Sequence, residues 1–362
     1  MDWARRIIGQ NLLWAFGYNA VALGAAAAGW LHPWLAALVL VCSSVTVQGG
    51  GVSTQTIGQP EPGRRVTVGK LVRAMRLFSL PASVLPVFVA TAAVLAPSAW
   101  RWDVLAASVA GVALLHLAGN LFNDYFDFAS HVDRRTEDDE FRPGRLLVYR
   151  ELLPRDVFIE ALVCLLLGGV ATGYLVWRCG PALLGFAAAA DLGLYAYTGP
   201  PFRLKYRALG EVLIFLVFGP LLLVGAAWAQ TGGFEMVALV LSIPVGLATT
   251  AILVGGNFRD REEDGAAGIR TIGHLAGGRV VRVAYFATVM GSVLSLALAA
   301  AMGFGPWTLA LAPLTLVLLA KPLAMVWRNE RLPDIDAQTA RWEAVMLVLI
   351  TVAYLVQGVV VA

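Results

Sequence analysis

Apolar residues dominate this chain in long blocks, and polar residues gather in the short intervals between them. Blocks close to the roughly 20 residues that a helix needs to cross a bilayer fall at about 11–30, 31–48, 80–97, 102–122, 156–177, 181–198, 210–230, 234–256, 281–302, 307–327 and 341–361. Ten-residue stretches of alternating polarity, the mark of a membrane β-barrel, are missing. The pattern therefore predicts an all-α polytopic membrane bundle of about eleven helices.

Composition agrees. Of 362 residues, 59% are hydrophobic and 14% charged, and the mean hydropathy is +0.73, which excludes an ordinary soluble domain. Glycine and alanine are frequent, as close helix packing in lipid favours. Cys42, Cys164 and Cys179 are scattered without pairing or metal spacing and read as packing residues.

The net charge of +3 is uninformative, but its placement is not. Arg5 and Arg6, then Arg64 to Arg76, Arg134 to Arg155, Arg203 to Arg207, Arg259 to Arg282, and Arg328 with Arg331 occupy alternate connections. The connections near 98–103, 178–181, 231–234 and 303–306 carry almost none. Basic residues mark the cytoplasmic side, so the pattern predicts an inner-membrane protein with its basic loops in the cytoplasm. The short basic start is followed by no cleavage site that would mark a removed signal peptide.

A hydrophilic stretch from Gln48, with Gly49-Gly50-Gly51, Pro60 and Pro62, divides the chain. It predicts a transmembrane hairpin at 1–48, a linker at 49–68 and a main domain at 69–362. Lys70 to Leu80 reads as an amphipathic interfacial helix leading into the first span of that domain.

Two acidic clusters stand where apolar blocks meet loops. The first runs Asn120-Leu-Phe-Asn123-Asp124-Tyr-Phe-Asp127 and extends to Asp133; the second runs Asn257-Phe-Arg259-Asp260-Arg261-Glu-Glu-Asp264. Asn120, Asp124 and Asp127 share one helical face, as do Asp260 and Asp264. Carboxylates at the end of a membrane span are costly unless they serve an ion or a cavity. Their hard oxygens suit Mg2+, which binds phosphates while keeping some water, and a metal-bridged diphosphate fits best. By position the clusters end the second and sixth of the nine spans in the main domain, a spacing that predicts two similar halves.

Diphosphate needs further cations. Arg259, Arg261 and Arg270 flank the second cluster, and the loop Tyr197-Thr-Gly-Pro-Pro-Phe-Arg203-Leu-Lys205-Tyr-Arg207 supplies more. Glu137 to Glu140 lacks helical-face logic and reads as a solvated loop. Asp191 lies inside a span, roughly 10 Å from its end at helical rise, with Tyr195 one turn later; it either orients an acceptor or pairs with a loop cation.

These residues resemble the UbiA superfamily of intramembrane prenyltransferases over roughly 68–362. NLFNDYFDFASHVD, YTGPPFRLKYRALGE and NFRDREEDGAAGIRTIGHLAGGR are most similar to the branch that prenylates 1,4-dihydroxy-2-naphthoate in menaquinone biosynthesis. The resemblance implies a nine-helix core in which Asp124, Asp127, Asp260 and Asp264 hold Mg2+ on a polyprenyl diphosphate, supported by Asn120, Asn123 and Asp133. Lys205, Arg259 and Arg270 would neutralise its oxygens, and the prenyl tail would lie among helices in the lipid bilayer, with an aromatic acceptor as second substrate; Asp191 departs from the family pattern and, with Tyr195, is a substrate-binding candidate from its position alone. Phe122, Tyr125 and Phe126 are further candidates to line the site. No nucleic-acid partner is expected. Another acceptor, or cyclisation of the prenyl chain with none, is the alternative reaction. Residues of about 4–47 resemble the last two membrane helices of copper-type P-type ATPases through Tyr18, Asn19 and Ser44. Leu40 replaces the expected Met there and no phosphorylation motif follows, so the hairpin reads as an anchor, with metal transport as the remote alternative.

Overall fold

The structure, a computed structural model, describes residues 66–130, 146–266 and 277–361, with side chains for all of these except Pro97, 263–266 and 358–361. The expected hairpin and nearly all of the linker lie outside the described residues. So do His131, Asp133, Glu137 to Glu140, Phe141 to Arg145, and Arg270.

Every regular element described is helical, as the apolar blocks predict. In chain order they are α1 (Val68–Ala74), α2 (Pro81–Val94), α3 (Trp102–Ala129), α4 (Pro154–Cys179), α5 (Ala182–Thr198), α6 (Gly210–Leu216), α7 (Leu222–Thr231), α8 (Met236–Ala266), α9 (Gly277–Ala301), α10 (Ala320–Arg328) and α11 (Ile335–Val361). Seven helical segments are long and apolar enough to cross a membrane: α3, α4, α6 with α7, α8, α9, Trp307–Arg328 and α11. Val68–Val94 makes an eighth as a pair bent by 47°, and α5 is a shorter apolar helix. The protein is an integral membrane helix bundle.

Three local features depart from the sequence pattern. The stretch 70–80 is not one helix: α1 stops at Ala74, Arg76 takes a left-handed backbone (φ 55°), and a 3-10 turn spans Leu77–Ser79. Pro81 then opens α2, a first-turn position at which its missing N–H costs nothing. The 210–230 span contains a π turn at Val217–Leu221, where Pro220 removes one donor and crowds the preceding turn. Residues Trp307–Leu319 are wound as 3-10 helix around Pro313 before α10 begins.

Two compact units are present, and each carries one acidic cluster. The first comprises 66–80 and 107–203. Its core joins α3, α4 and α5 through Leu121, Phe122, Phe126, Ala161, Leu165 and Tyr195, with Leu71, Met75 and Leu80 packed on it. Leu71 and Met75 thus give the segment 70–80 its expected apolar face, although the helix is broken.

The second comprises 81–106 and 204–361. Here α8 is central, packed against α9, α11 and the α6 region. Of its most apolar 18-residue stretch 61% is buried, against 33–44% in the other six spans. Close approach is achieved with glycine: a Cβ on Gly246 would meet the Phe215 ring at 2.9 Å and its carbonyl at 3.0 Å, and one on Gly219 would meet the Ser242 carbonyl at 2.6 Å. Several polar groups in this interior are paired between helices. Tyr285 shares a hydrogen bond with Thr339 at 2.8 Å, and the Trp342 indole donates to Thr315 at 2.9 Å. Such pairing is what a medium without water requires.

Candidate diphosphate site

The first acidic cluster occupies the last turns of α3. Because 3.6 residues make a turn, His116, Asn120, Asp124 and Asp127 follow one another along a single face. Asp124 and Asp127 are each only 4% exposed. Carboxylates so deeply buried need charge-assisted partners, and Asp124 has one: the Arg76 guanidinium donates to its Oδ1. The left-handed turn that interrupts α1 and α2 is what brings Arg76 there.

That turn is stitched to α3 by a small network. Asn120 Nδ2 donates to Ser79 Oγ at 3.0 Å and to the Met75 carbonyl at 3.3 Å. Ser79 Oγ also lies 2.8 Å from His116 Nε2 and donates to the Arg76 carbonyl at 2.8 Å. Asn120 thus supports the cluster by fixing the segment that carries Arg76. Neither Arg76 nor His116 stood out in the sequence, where Arg76 reads as one of several topology-setting cations. The signal for His116 was its position one turn before Asn120.

The second cluster ends α8 in the other unit. Arg259 forks its neighbour Asp260, with Nε to Oδ1 at 2.7 Å and Nη2 to Oδ2 at 3.0 Å. Its Nη1 reaches Asp336 Oδ1 at 2.7 Å and the Pro333 carbonyl at 3.1 Å, both beside the start of α11. The sequence suggested that Arg259 neutralises phosphate oxygens; in the structure this buried guanidinium hydrogen bonds to Asp260, Asp336 and the Pro333 carbonyl. Asn257 donates to Glu211 Oε1 at 2.7 Å, tying the cluster to α6. Glu211 and Asp336 are the supporting acids that sequence reasoning missed.

Arg261 stacks over the Phe258 ring at 4.6 Å and approaches Glu262 at 3.6 Å. Lys205 sits in a 3-10 turn, Leu204–Tyr206, with its ammonium 5.7 Å from the Tyr206 ring. The turns around it rest on left-handed backbones at Arg203 (φ 46°) and Ala208 (φ 54°). Asp264 belongs to the last turn of α8, and its side chain lies outside the described set. Among the described residues no group of three or more His, Cys, Asp or Glu side chains is assembled that could hold a metal.

The aromatic candidates form a packed cluster in the first unit. Phe126 lies 6.4 Å from Phe122 and 6.5 Å from Tyr195 by ring centroids, and Tyr125 lies 5.0 Å from Phe158. Phe122 and Phe126 are buried core residues, and the Tyr195 hydroxyl donates to the Pro200 carbonyl. Asp191, one turn before Tyr195, is 8% exposed, and among the described residues it has no ion pair or hydrogen bond.

With this geometry in hand, comparison with known proteins is direct. The model of the UbiA prenyltransferase family matches residues 83–355. UbiA prenyltransferase domain-containing protein 1 of Gallus gallus is 30% identical over 284 residues, 78% of this chain and 83% of that protein. The Rattus norvegicus protein of the same name is 35% identical over 230 residues, 62% of this chain and 66% of its own length. Among solved structures, a UbiA homologue from Archaeoglobus fulgidus bound to GPP and Mg2+ superposes with a TM-score of 0.57 at 16% identity, covering 79% of this chain and 99% of that one. The fold, the two acidic clusters and the length of the match lead to one conclusion: this chain belongs to the UbiA prenyltransferase family.

Proposed function

We propose that the protein transfers a prenyl group from a polyprenyl diphosphate to an aromatic acceptor, 1,4-dihydroxy-2-naphthoate in menaquinone biosynthesis. The carrying observation is that each unit ends a membrane helix in an acid braced by an arginine: buried Asp124 by Arg76, and partly buried Asp260 by Arg259. The relatives' name, the likeness to a homologue solved with GPP and Mg2+, and the motif stretches of the 1,4-dihydroxy-2-naphthoate branch support the reading.

The acids present an oxygen-only donor set, the chemistry that Mg2+ prefers. Asp124, Asp127, Asp260 and Asp264 would hold the ion on the diphosphate, with Asn123 and Asp133 in support. When bound, it supplies positive charge for the departing diphosphate.

The chain's own groups do the rest. Lys205 and Arg270 neutralise diphosphate oxygens, so charge that develops as the allylic C–O bond breaks meets fixed cations. Arg76, Asn120 and Arg259 keep the acids in place, which limits reorganisation during that step. An electron-rich ring carbon of the acceptor then forms the new C–C bond, and the acceptor's carboxylate leaves as carbon dioxide, its bonding electron pair restoring the aromatic ring. Apolar packing around α3 and α5 excludes water, which would otherwise capture the allylic cation. The alternating basic connections favour an inner-membrane protein with both clusters on the cytoplasmic side.

Purified protein, incubated with Mg2+, a panel of prenyl diphosphates, and either 1,4-dihydroxy-2-naphthoate or no acceptor, tests the assignment by mass spectrometry. A prenylated naphthol product is expected. Diphosphate release without it would retain the first half-reaction and refute this acceptor.

A further inference from the structure

Two buried carboxyls of the first unit, Glu160 in α4 and Asp191 in α5, have oxygens without a hydrogen-bond partner among the described residues, and Asp191 is the one on the helix that carries Tyr195. It lies in α5, seven residues before Thr198, so roughly 10 Å of helical rise separates it from the end nearer the basic loop. A carboxyl at such depth is ordinarily matched by a cation or a donor on a neighbouring turn. Among the described residues Asp191 has neither, and its Oδ1 is fully enclosed without a partner. The reading as half of an ion pair with the adjacent loop therefore finds no support among Arg203, Lys205 and Arg207.

Its own helix gives the carboxyl nothing to bond. Three and four residues earlier stand Ala188 and Ala187, which offer only methyl groups and are themselves partly exposed. One turn later stands Tyr195, whose hydroxyl is already given to the Pro200 carbonyl. Tyr195 also meets Phe126 and Phe202 edge-on, at 6.5 and 6.4 Å. Phe126 immediately precedes Asp127 of the acidic cluster. A lone acceptor of hydrogen bonds is thus set between small side chains and a ring cluster that packs against the helix carrying Asp124 and Asp127.

We infer that Asp191 anchors the aromatic acceptor, accepting a hydrogen bond from a ring hydroxyl while the ring lies against the alanine and Tyr195 side of α5. Recognition at Asp191 then depends on a ring hydroxyl, and an aromatic without one leaves the carboxyl unmatched. This inference rests on the prenyl-transfer reading above for the ligand's role, but its test needs no turnover.

Binding of 1-naphthol and of naphthalene is measured at equilibrium on the full chain in nanodiscs, for the wild type, Asp191→Leu and Asp191→Asn, with geranyl diphosphate plus Mg2+ as a control ligand. The wild type is expected to prefer 1-naphthol by about tenfold, the worth of one good hydrogen bond. Asp191→Leu removes that preference, and Asp191→Asn, whose amide oxygen still accepts, keeps part of it. Geranyl diphosphate affinity stays within about twofold in all three. No preference in the wild type, an unchanged preference in Asp191→Leu, or equal loss of naphthol and geranyl diphosphate in both variants would overturn the assignment. A wild type that binds no geranyl diphosphate would count against the diphosphate reading, with the naphthol comparison still judging Asp191.

Discussion

Arg259 and Asp260 are sequence neighbours joined in a two-point fork, at 2.7 and 3.0 Å, and the third nitrogen of the same guanidinium is bound to Asp336 and to the Pro333 carbonyl. A planar fork can satisfy both carboxylate oxygens at once, and a lysine ammonium cannot. Arg259→Lys should therefore keep the charge and still lose the function, with kcat/KM for the prenyl diphosphate falling roughly 10- to 100-fold, about 1.4–2.8 kcal/mol. Steady-state kinetics over a range of diphosphate concentrations measure this. Asp336→Asn, which removes only one arm of the bracket, should cost less.

Arg76 makes a parallel case in the first unit. It reaches Asp124 only because Asn120 and Ser79 hold the turn between α1 and α2. Arg76→Gln should weaken diphosphate use about tenfold or more, by exposing Asp124 to the cost of a buried carboxylate without its cation. Asn120→Ala should do so more mildly, and the double variant should be less than additive because both act on the same carboxylate. Measured additivity would separate the two residues.

The 2.7 Å hydrogen bond from Asn257 to Glu211 joins α8 to α6. A double-mutant cycle with Asn257→Ala and Glu211→Ala, read as shifts in thermal unfolding of detergent-solubilised protein, should give a coupling of about 1–3 kcal/mol, typical of a hydrogen bond to a charged group. A coupling near zero would show that the pair is incidental.

Packing around α8 leaves no room at Gly246. Gly246→Ala places a Cβ against the Phe215 ring and carbonyl and should destabilise by about 1–3 kcal/mol, the usual cost of overpacking. Gly185→Ala, where nothing lies within 4 Å, is the matched control and should leave the melting temperature unchanged or slightly raised.

Much of this architecture was legible in the chain. The apolar block 210–230 became the span Gly210–Thr231, and 181–198 became Ala182–Thr198, because hydrophobic length alone decides such segments. The co-facial positions of Asn120, Asp124 and Asp127 followed from helical period. What sequence could not show was partnership at a distance. Arg76 is 48 residues from Asp124, and Asn257 is 46 from Glu211; nothing in local spacing distinguishes those residues from other cations and acids near a membrane edge. Arg259 is the instructive case. Its residue type beside an acidic cluster suits phosphate binding, and the structure adds hydrogen bonds to Asp260, Asp336 and the Pro333 carbonyl, of which the last two lie more than 70 residues away and leave no local trace. The broken helix at Arg76 was likewise hidden, since the apolar periodicity of Leu71 and Met75 continues up to the turn.

The most direct test of the central claim is diphosphate release from a prenyl diphosphate by purified protein, followed with Mg2+, with excess chelator, and after Mg2+ is restored, in the wild type, Asp124→Ala and Asp260→Ala. Release is expected to need Mg2+, to recover on its return, and to fall at least about 100-fold in each variant while both remain folded. Release that persists in chelator, or that survives in either folded variant, would contradict that claim.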